Sequence, residues 1–158
     1  MNEDNLKQLL ADGLLALKAG GRIAAESVDE IKSSASDDEL KSLLETGNEK
    51  SKEWRERIDQ AMDEVGASGE GENPIMRAHY DVSKEIREAA PDEQVRDLGI
   101  ITSGQLVLHY WIAAFGTVAA YAKQIGLERT KQEMGSSVEE ARKADEAHTQ
   151  LAERIMGV

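Results

Sequence analysis

Apolar residues recur along most of this chain at three- and four-residue steps, the spacing of amphipathic helices. Leu6, Leu10, Leu14, Leu17, Ala24, Val28 and Ile31 form one stripe and predict a helix over about Glu3 to Lys32, with Glu3 and Asp4 suiting its N-terminus. Gly20-Gly21 falls mid-helix, where each glycine costs about 1 kcal/mol against alanine. It predicts a kink or a close helix–helix approach. After a turn at Ser33–Ser36, Ser36 and Glu39 have the spacing of a capping box. A second helix runs to about Val65, with Leu40, Leu44, Gly47, Ser51, Trp54, Ile58, Met62 and Val65 as its stripe. The short turn makes the two helices an antiparallel hairpin.

The stretch Gly66–Asn73 is the one clear loop. Asn73 then caps a shorter helix with Pro74 at its first position. That helix extends to about Ala89, with Ile75, Met76, His79, Val82 and Ile86 expected inward, and Pro91 ends it. A long segment from Asp92 follows, in which Gly99 and Gly104 predict irregularity. It leads into Gln105–Gly126, the most apolar part of the chain, which Gly126 closes as a left-handed cap. The last segment runs from Leu127 to about Met156, with Val138, Ala141, Ala144, His148, Leu151, Ala152 and Ile155 inward. Gly135-Ser136-Ser137, with Glu140 completing a second capping box, is expected to divide it.

Gln105–Gly126 is apolar on almost every face, which predicts the innermost helix of a bundle. Its length of about 33 Å matches the diameter of a small domain. A membrane span is the rival. The run Leu106–Ala122 reaches about the minimum of 17 residues. However, His109, Gly116 and Thr117 interrupt it, and no Lys/Arg cluster precedes it.

Composition narrows this further. A chain of 158 residues is one domain, residues 1–158, able to bury roughly two-thirds of its unfolded surface. With no cysteine, disulfides, thiolate metal sites and Cys nucleophiles are excluded. A net charge of −12 without basic clusters argues against nucleic acid and against anionic membrane surfaces. No secretory leader is visible, so a cytoplasmic location is expected.

Certain strings resemble the YciE/YciF family of stress-associated, ferritin-like proteins: ERIDQ (Glu56–Gln60), HYWIAAFGT (His109–Thr117), KQIG (Lys123–Gly126) and VEEARKAD (Val138–Asp145). The resemblance covers nearly the whole chain. It implies an all-α, ferritin-like up-down four-helix bundle with an additional shorter helix, usually a homodimer. It also implies inward carboxylates and a His that hold two metal ions, iron or manganese. Such a pair of cations needs several carboxylates from facing helices.

Carried over by position, that ligand set is substituted. Leu17 stands at the first-helix carboxylate. A Glu-x-x-His pair becomes Glu49 and Lys52. The carboxylates flanking His109-Tyr110 become Leu108 and Trp111. Glu139, Glu140 and Asp145 match in the last helix. Periodicity places Glu49 and Lys52 off the buried stripe, as an exposed i,i+3 pair. It also turns Glu139 and Glu140 outward, and leaves Asp145 at the edge of the stripe.

Other candidates carry a simpler expectation beside the functional one. His109 and His148 are expected inward, and with Asp145 would make a remnant one-metal site. The simpler expectation is two hydrogen-bonded core histidines, and likewise for His79. Trp54, Tyr110, Trp111 and Phe115 either line a small-molecule cavity or pack as ordinary core. The acidic stretches Asp37–Glu39 and Glu70–Glu72 are expected to be solvated. The function expected is a non-catalytic scaffold or binding protein without cofactor. The alternative is a ferroxidase-like iron or manganese protein that draws on Glu45, His109, Asp145 and His148.

Overall fold

The computed structural model describes residues 2–158, and the described residues form five helices and no strand. They are α1 (Glu3–Ser34), α2 (Asp38–Val65), α3 (Pro74–Ala89), α4 (Glu93–Gln124) and α5 (Glu128–Met156). Hydrogen bonds at the two ends fix their directions. Near the α1–α2 turn, Asp97 of α4 accepts the backbone N–H groups of Ser36 and Asp37 at 2.9 and 2.8 Å. Arg154 of α5 grips the Asp37 carboxylate at 2.8 and 2.9 Å. At the opposite end, Glu64 of α2 accepts the N–H and hydroxyl of Thr130 at 2.8 and 2.6 Å. α1, α2, α5 and α4 therefore surround the core in that order, each antiparallel to its neighbours, and α3 carries the chain back along α1 and α4. This is the up-down bundle with a shorter crossover helix.

Local chemistry explains the boundaries. Asn2 caps α1, Asn73 caps α3 ahead of Pro74, and Asp92 caps α4. Gly126, at φ +76°, follows α4, and the Leu127 N–H reaches back to the Ala122 carbonyl at 2.9 Å, as in a Schellman motif.

Several expectations are corrected. Asp37, not Ser36, caps α2, taking the N–H groups of Glu39 and Leu40, while the Ser36 hydroxyl accepts from Arg96 at 3.0 Å. α4 runs unbroken through Gly99 and Gly104, and α5 through Gly135. Ser137 donates to the Glu133 carbonyl rather than capping, because an uninterrupted helix leaves it no free N–H to serve. α1 is continuous as well. A side chain on Gly20 would meet Asn73 at 2.9 Å and Trp111 at 3.1 Å, so the glycine marks a close approach.

α3 is rotated from the face expected: Met76 is buried and His79 and Ile86 are half-buried as expected, but Ile75 and Val82 are not. Met76, Ser83 and Arg87 are buried, whereas Ile75 and Val82 lie 65% and 51% exposed. Polar residues can be buried there because they are paired: Arg87 donates to Ser83 and to Glu30 of α1, both at 2.8 Å. α4 is not enclosed on all sides either. Leu106, His109, Ala113, Thr117 and Ala120 form a solvent-facing stripe at helical spacing. The small size of three of these residues hides an outer face inside an apolar string. Among the described residues α4 is the one helix long and apolar enough to cross a membrane. Here its other face, from Ile100 to Ala122, packs in the core.

Candidate functional site

The core is two separate clusters. The larger joins Leu10, Leu14, Leu17, Trp54, Ile58, Trp111, Phe115 and Met134; the smaller joins Ala35, Leu40, Ile100, Ile101 and Leu151. The helical stripes do not close between them. Ala24, Val28 and Ile31 of α1, and Leu44, Gly47 and Ser51 of α2, continue the buried stripes but are only half-buried or exposed. They line a cavity of about 310 Å³ together with residues of α3, α4 and α5. The walls are apolar: Leu43, Ile100, Val107, Leu108 and Ala144 stand beside the α1 residues, and Trp54 and Trp111 close one end.

Small residues make this space. Ala, Gly and Ser occupy stripe positions on α1 and α2 where Leu stands in the neighbouring turns. The aromatic cluster bounds the cavity on the side of the larger core. Trp111 stacks on Phe115 at 5.3 Å between ring centroids, and Trp54 meets Phe115 edge-on at the same separation. Of the four aromatics predicted to line a cavity or pack as core, the two tryptophans do both. Phe115 is pure core, and Tyr110 faces the α1–α4 surface and accepts from Asn73 at 2.6 Å.

Polar groups are few and specifically placed. The Tyr80 side chain lines the cavity, and burial alone pushes its hydroxyl pKa up to about 12. His79 donates from Nε2 to the Ser103 carbonyl at 2.9 Å. His148 donates from Nδ1 to the Ala144 carbonyl at 2.7 Å, and burial holds its pKa below the ordinary value. Its Nε2 lies so close to Gly104 that a side chain there would approach it to 2.9 Å. At the seam between α2 and α5, Thr46, Gly47 and Lys143 are the exposed members of the lining and mark the mouth. Beside them Glu140 accepts Trp54 Nε1 at 2.8 Å and a fork from Arg57 at 2.7 and 3.0 Å. Burial raises the Glu140 pKa, but the bonds from Arg57 and Trp54 outweigh it and the net shift is downward.

The residues that the family resemblance singled out lie scattered. Leu17 is buried in the larger cluster, while Leu108 and Trp111 wall the cavity. Glu49 and Lys52 form the expected exposed pair at 2.6 Å, and Glu139 is exposed and paired with Arg142 at 2.8 Å. Glu140 points inward, contrary to its predicted direction, because an arginine and an indole on α2 offer it three hydrogen bonds. His109 also departs from expectation: its side chain is 67% exposed on the outer stripe of α4 and contacts Asp145 at 3.1 Å. It does not reach into the core with His148. Glu45 pairs with Lys32 at the surface.

These residues do not fit a di-metal centre. One Asp145 oxygen is buried without a partner, the kind of atom a cation satisfies, yet His109 alone accompanies it. No group of three or more His, Asp or Glu side chains among the described residues is arranged to hold a metal ion. The alkyl side chains of Leu17 and Leu108, and the indole of Trp111 whose N–H has no free lone pair, offer no donor to a hard or borderline cation.

Tyr80, Lys143 and Lys50 were not singled out from sequence. Tyr80 lies on the Asn73–Met76–Ser83–Arg87 side of α3, a mixed-polarity stripe that an apolar-only pattern passes over. A lysine at a seam has no sequence signal at all.

A profile of the family described as "Domain of unknown function (DUF892)" matches residues 5–157. Protein YciF of Escherichia coli is 32% identical over 77 residues, an alignment spanning 49% of this chain and 46% of that protein. The chain thus matches about half the length of this curated relative. The crystal structure of the E. coli stress protein YciF superimposes with a TM-score of 0.92 at 22% identity, covering 96% of this chain and 97% of that one. YcfI of Rhodopseudomonas palustris, which has been proposed to be a structural protein, gives 0.87 at 23% identity over 91% and 92% of the two chains.

Proposed function

The chain belongs to the DUF892 family, and within that family we propose that it is a non-catalytic, YciF-type ferritin-like protein, stress-associated, whose core serves binding or scaffolding instead of metal chemistry. One observation carries this. The positions where the resemblance implies ligands are filled by Leu17, Leu108 and Trp111, and the last two wall an apolar cavity. A cavity of about 310 Å³ falls at the lower end of the roughly 300–1,000 Å³ of small-molecule sites.

Three further parts belong to the proposal. The protein acts in the cytoplasm, in keeping with its acidity. It also pairs with a second copy through the outer stripe of α4. Leu106 is 57% exposed there and Leu9 of α1 is 51% exposed, with Ala113, Tyr110 and Gly13 between the two helices. Neither a nucleic acid nor a membrane is a partner.

Aerobic oxidation of Fe²⁺, followed by absorbance with and without the protein, tests the non-catalytic part. The rate with protein should equal the rate without it. A protein-dependent rate lost in Asp145→Ala or His109→Ala would establish the ferroxidase-like alternative.

A further inference from the structure

The cavity lies between the two core clusters and is lined along the helices. Its lining runs from Leu43 to Trp54 on α2 and from Ile100 to Trp111 on α4, about 16 Å along each helix at 1.5 Å per residue. A lining that extends this far along two helices can accompany an extended alkyl chain. Its middle is aliphatic, with Val28, Ile31, Leu44, Val107 and Leu108 from three helices.

The mouth is cationic although the chain as a whole carries −12. Lys50 and Lys143 both line the α2–α5 seam. The acidic group there, Glu140, is already held by Arg57 at 2.7 Å and lies 3.5 Å from Lys50. Lys50 also pairs with Glu53 at 2.6 Å, whereas Lys143 has no ion-pair partner among the described residues. Inside, the Tyr80 hydroxyl is held neutral by burial, with neither a hydrogen bond nor a nearby charge shifting it. An open ammonium at the rim of an apolar cavity fits a ligand with one anionic end and one aliphatic tail.

We propose that this cavity binds a medium-chain fatty acid, with the alkyl chain between the two core clusters and the carboxylate at Lys143. This rests on the core being a binding cavity and not a metal centre, and it names the ligand class. Trp54 and Trp111, the only tryptophans of the chain, both line the cavity, so their emission reports entry directly.

The test is a tryptophan-fluorescence titration of the intact protein with decanoate below its micelle concentration, with decanol as the uncharged control. Saturable binding of decanoate is expected, at least about tenfold tighter than decanol, since a charge-assisted contact of that size separates them. Lys143→Glu, a surface change that leaves the fold intact, should weaken decanoate by at least about tenfold and leave decanol unchanged. Ala144→Phe, which fills the cavity, should abolish both; if it does not fold, Ser51→Leu narrows the same space from α2. Lack of saturable decanoate binding, equal affinity for decanoate and decanol, or a Lys143→Glu protein that binds decanoate as well as the parent would each overturn the proposal. A metal-free protein that ignores decanoate would sink the fatty-acid assignment alone, whereas stoichiometric metal would sink the non-catalytic reading beneath it.

Discussion

The indole N–H of Trp54 donates to a Glu140 oxygen at 2.8 Å, and Arg57, one turn further along α2, forks onto the same carboxylate. One acidic group thus ties the aromatic end of the cavity to the α2–α5 seam, and it does so with side chains of Arg57 and Glu140 only 23% and 26% exposed. Removing the carboxylate leaves a half-buried guanidinium and an indole N–H without partners. Glu140→Ala should cost about 1–3 kcal/mol in urea unfolding, and Trp54→Phe, which deletes only one donor and some area, about 1 kcal/mol. A smaller effect for Glu140→Ala than for Trp54→Phe would show the joint to be incidental.

Gly104 and His148 are matched in space. A methyl group on Gly104 would lie 2.9 Å from His148 Nε2, and the imidazole is held by its bond to the Ala144 carbonyl. Gly104→Ala should therefore destabilise despite the better helix propensity of alanine. Gly135 sits in mid-α5 with nothing within 4 Å of its missing side chain. Gly135→Ala should stabilise by about 1 kcal/mol, the full propensity difference. Thermal melts of the two variants should move in opposite directions.

His148 also sets a pH dependence. Burial depresses its pKa from 6.5, so the unfolded chain takes up a proton at a higher pH than the folded one. The sign follows from linkage: this contribution to stability is complete above the unfolded value and is lost as pH falls through it toward the folded value. Glu64 and Glu140, both lowered below 4.5, add a second loss at more acid pH. The fall in melting temperature between about pH 7.5 and 5.5 should shrink in His148→Gln, while the acid limb below it persists. An unchanged profile would show that His148 does not titrate on unfolding.

Asp97 is 3% exposed and accepts two backbone N–H groups of the α1–α2 turn. An amide has one carbonyl oxygen where the carboxylate has two, so Asp97→Asn leaves one of these donors facing an NH₂ group. The expected loss is about 1–3 kcal/mol, measured by chemical denaturation. Amide exchange at Ser36 and Asp37 should accelerate with it.

Much of the fold was legible in the chain because its signals are local. The periodic leucines of α1, Asn73-Pro74 and Gly126 each specify an element without help from the rest of the structure. Three kinds of feature were hidden. Gly99, Gly104 and Gly135 look like breaks, but packing on α4 and α5 outweighs a propensity cost of about 1 kcal/mol each. Arg87 and Ser83 look exposed, and only the partner Glu30 on another helix makes their burial affordable. Ala113 and Ala120 look like core, since small apolar residues suit both a core and an outer face. At the site, the substitutions Leu17, Leu108 and Trp111 could be read from sequence, and so could the outward Glu49–Lys52 pair. That Glu140 turns in and His109 turns out depends on contacts from α2 and on the rotation of α4. The cavity is a failure of stripes to meet, which no single stripe reveals.

The central claim is that this bundle has an apolar cavity at the positions where its relatives are expected to hold metal. Elemental analysis of protein purified without tags or chelators, paired with melting curves with and without Fe²⁺, Mn²⁺ and Zn²⁺, tests it most directly. A ligand that binds the native state must raise the melting temperature by mass action. The structure predicts no stoichiometric metal and no shift with any of the three ions. About two metal ions per chain with a clear rise in melting temperature would contradict it.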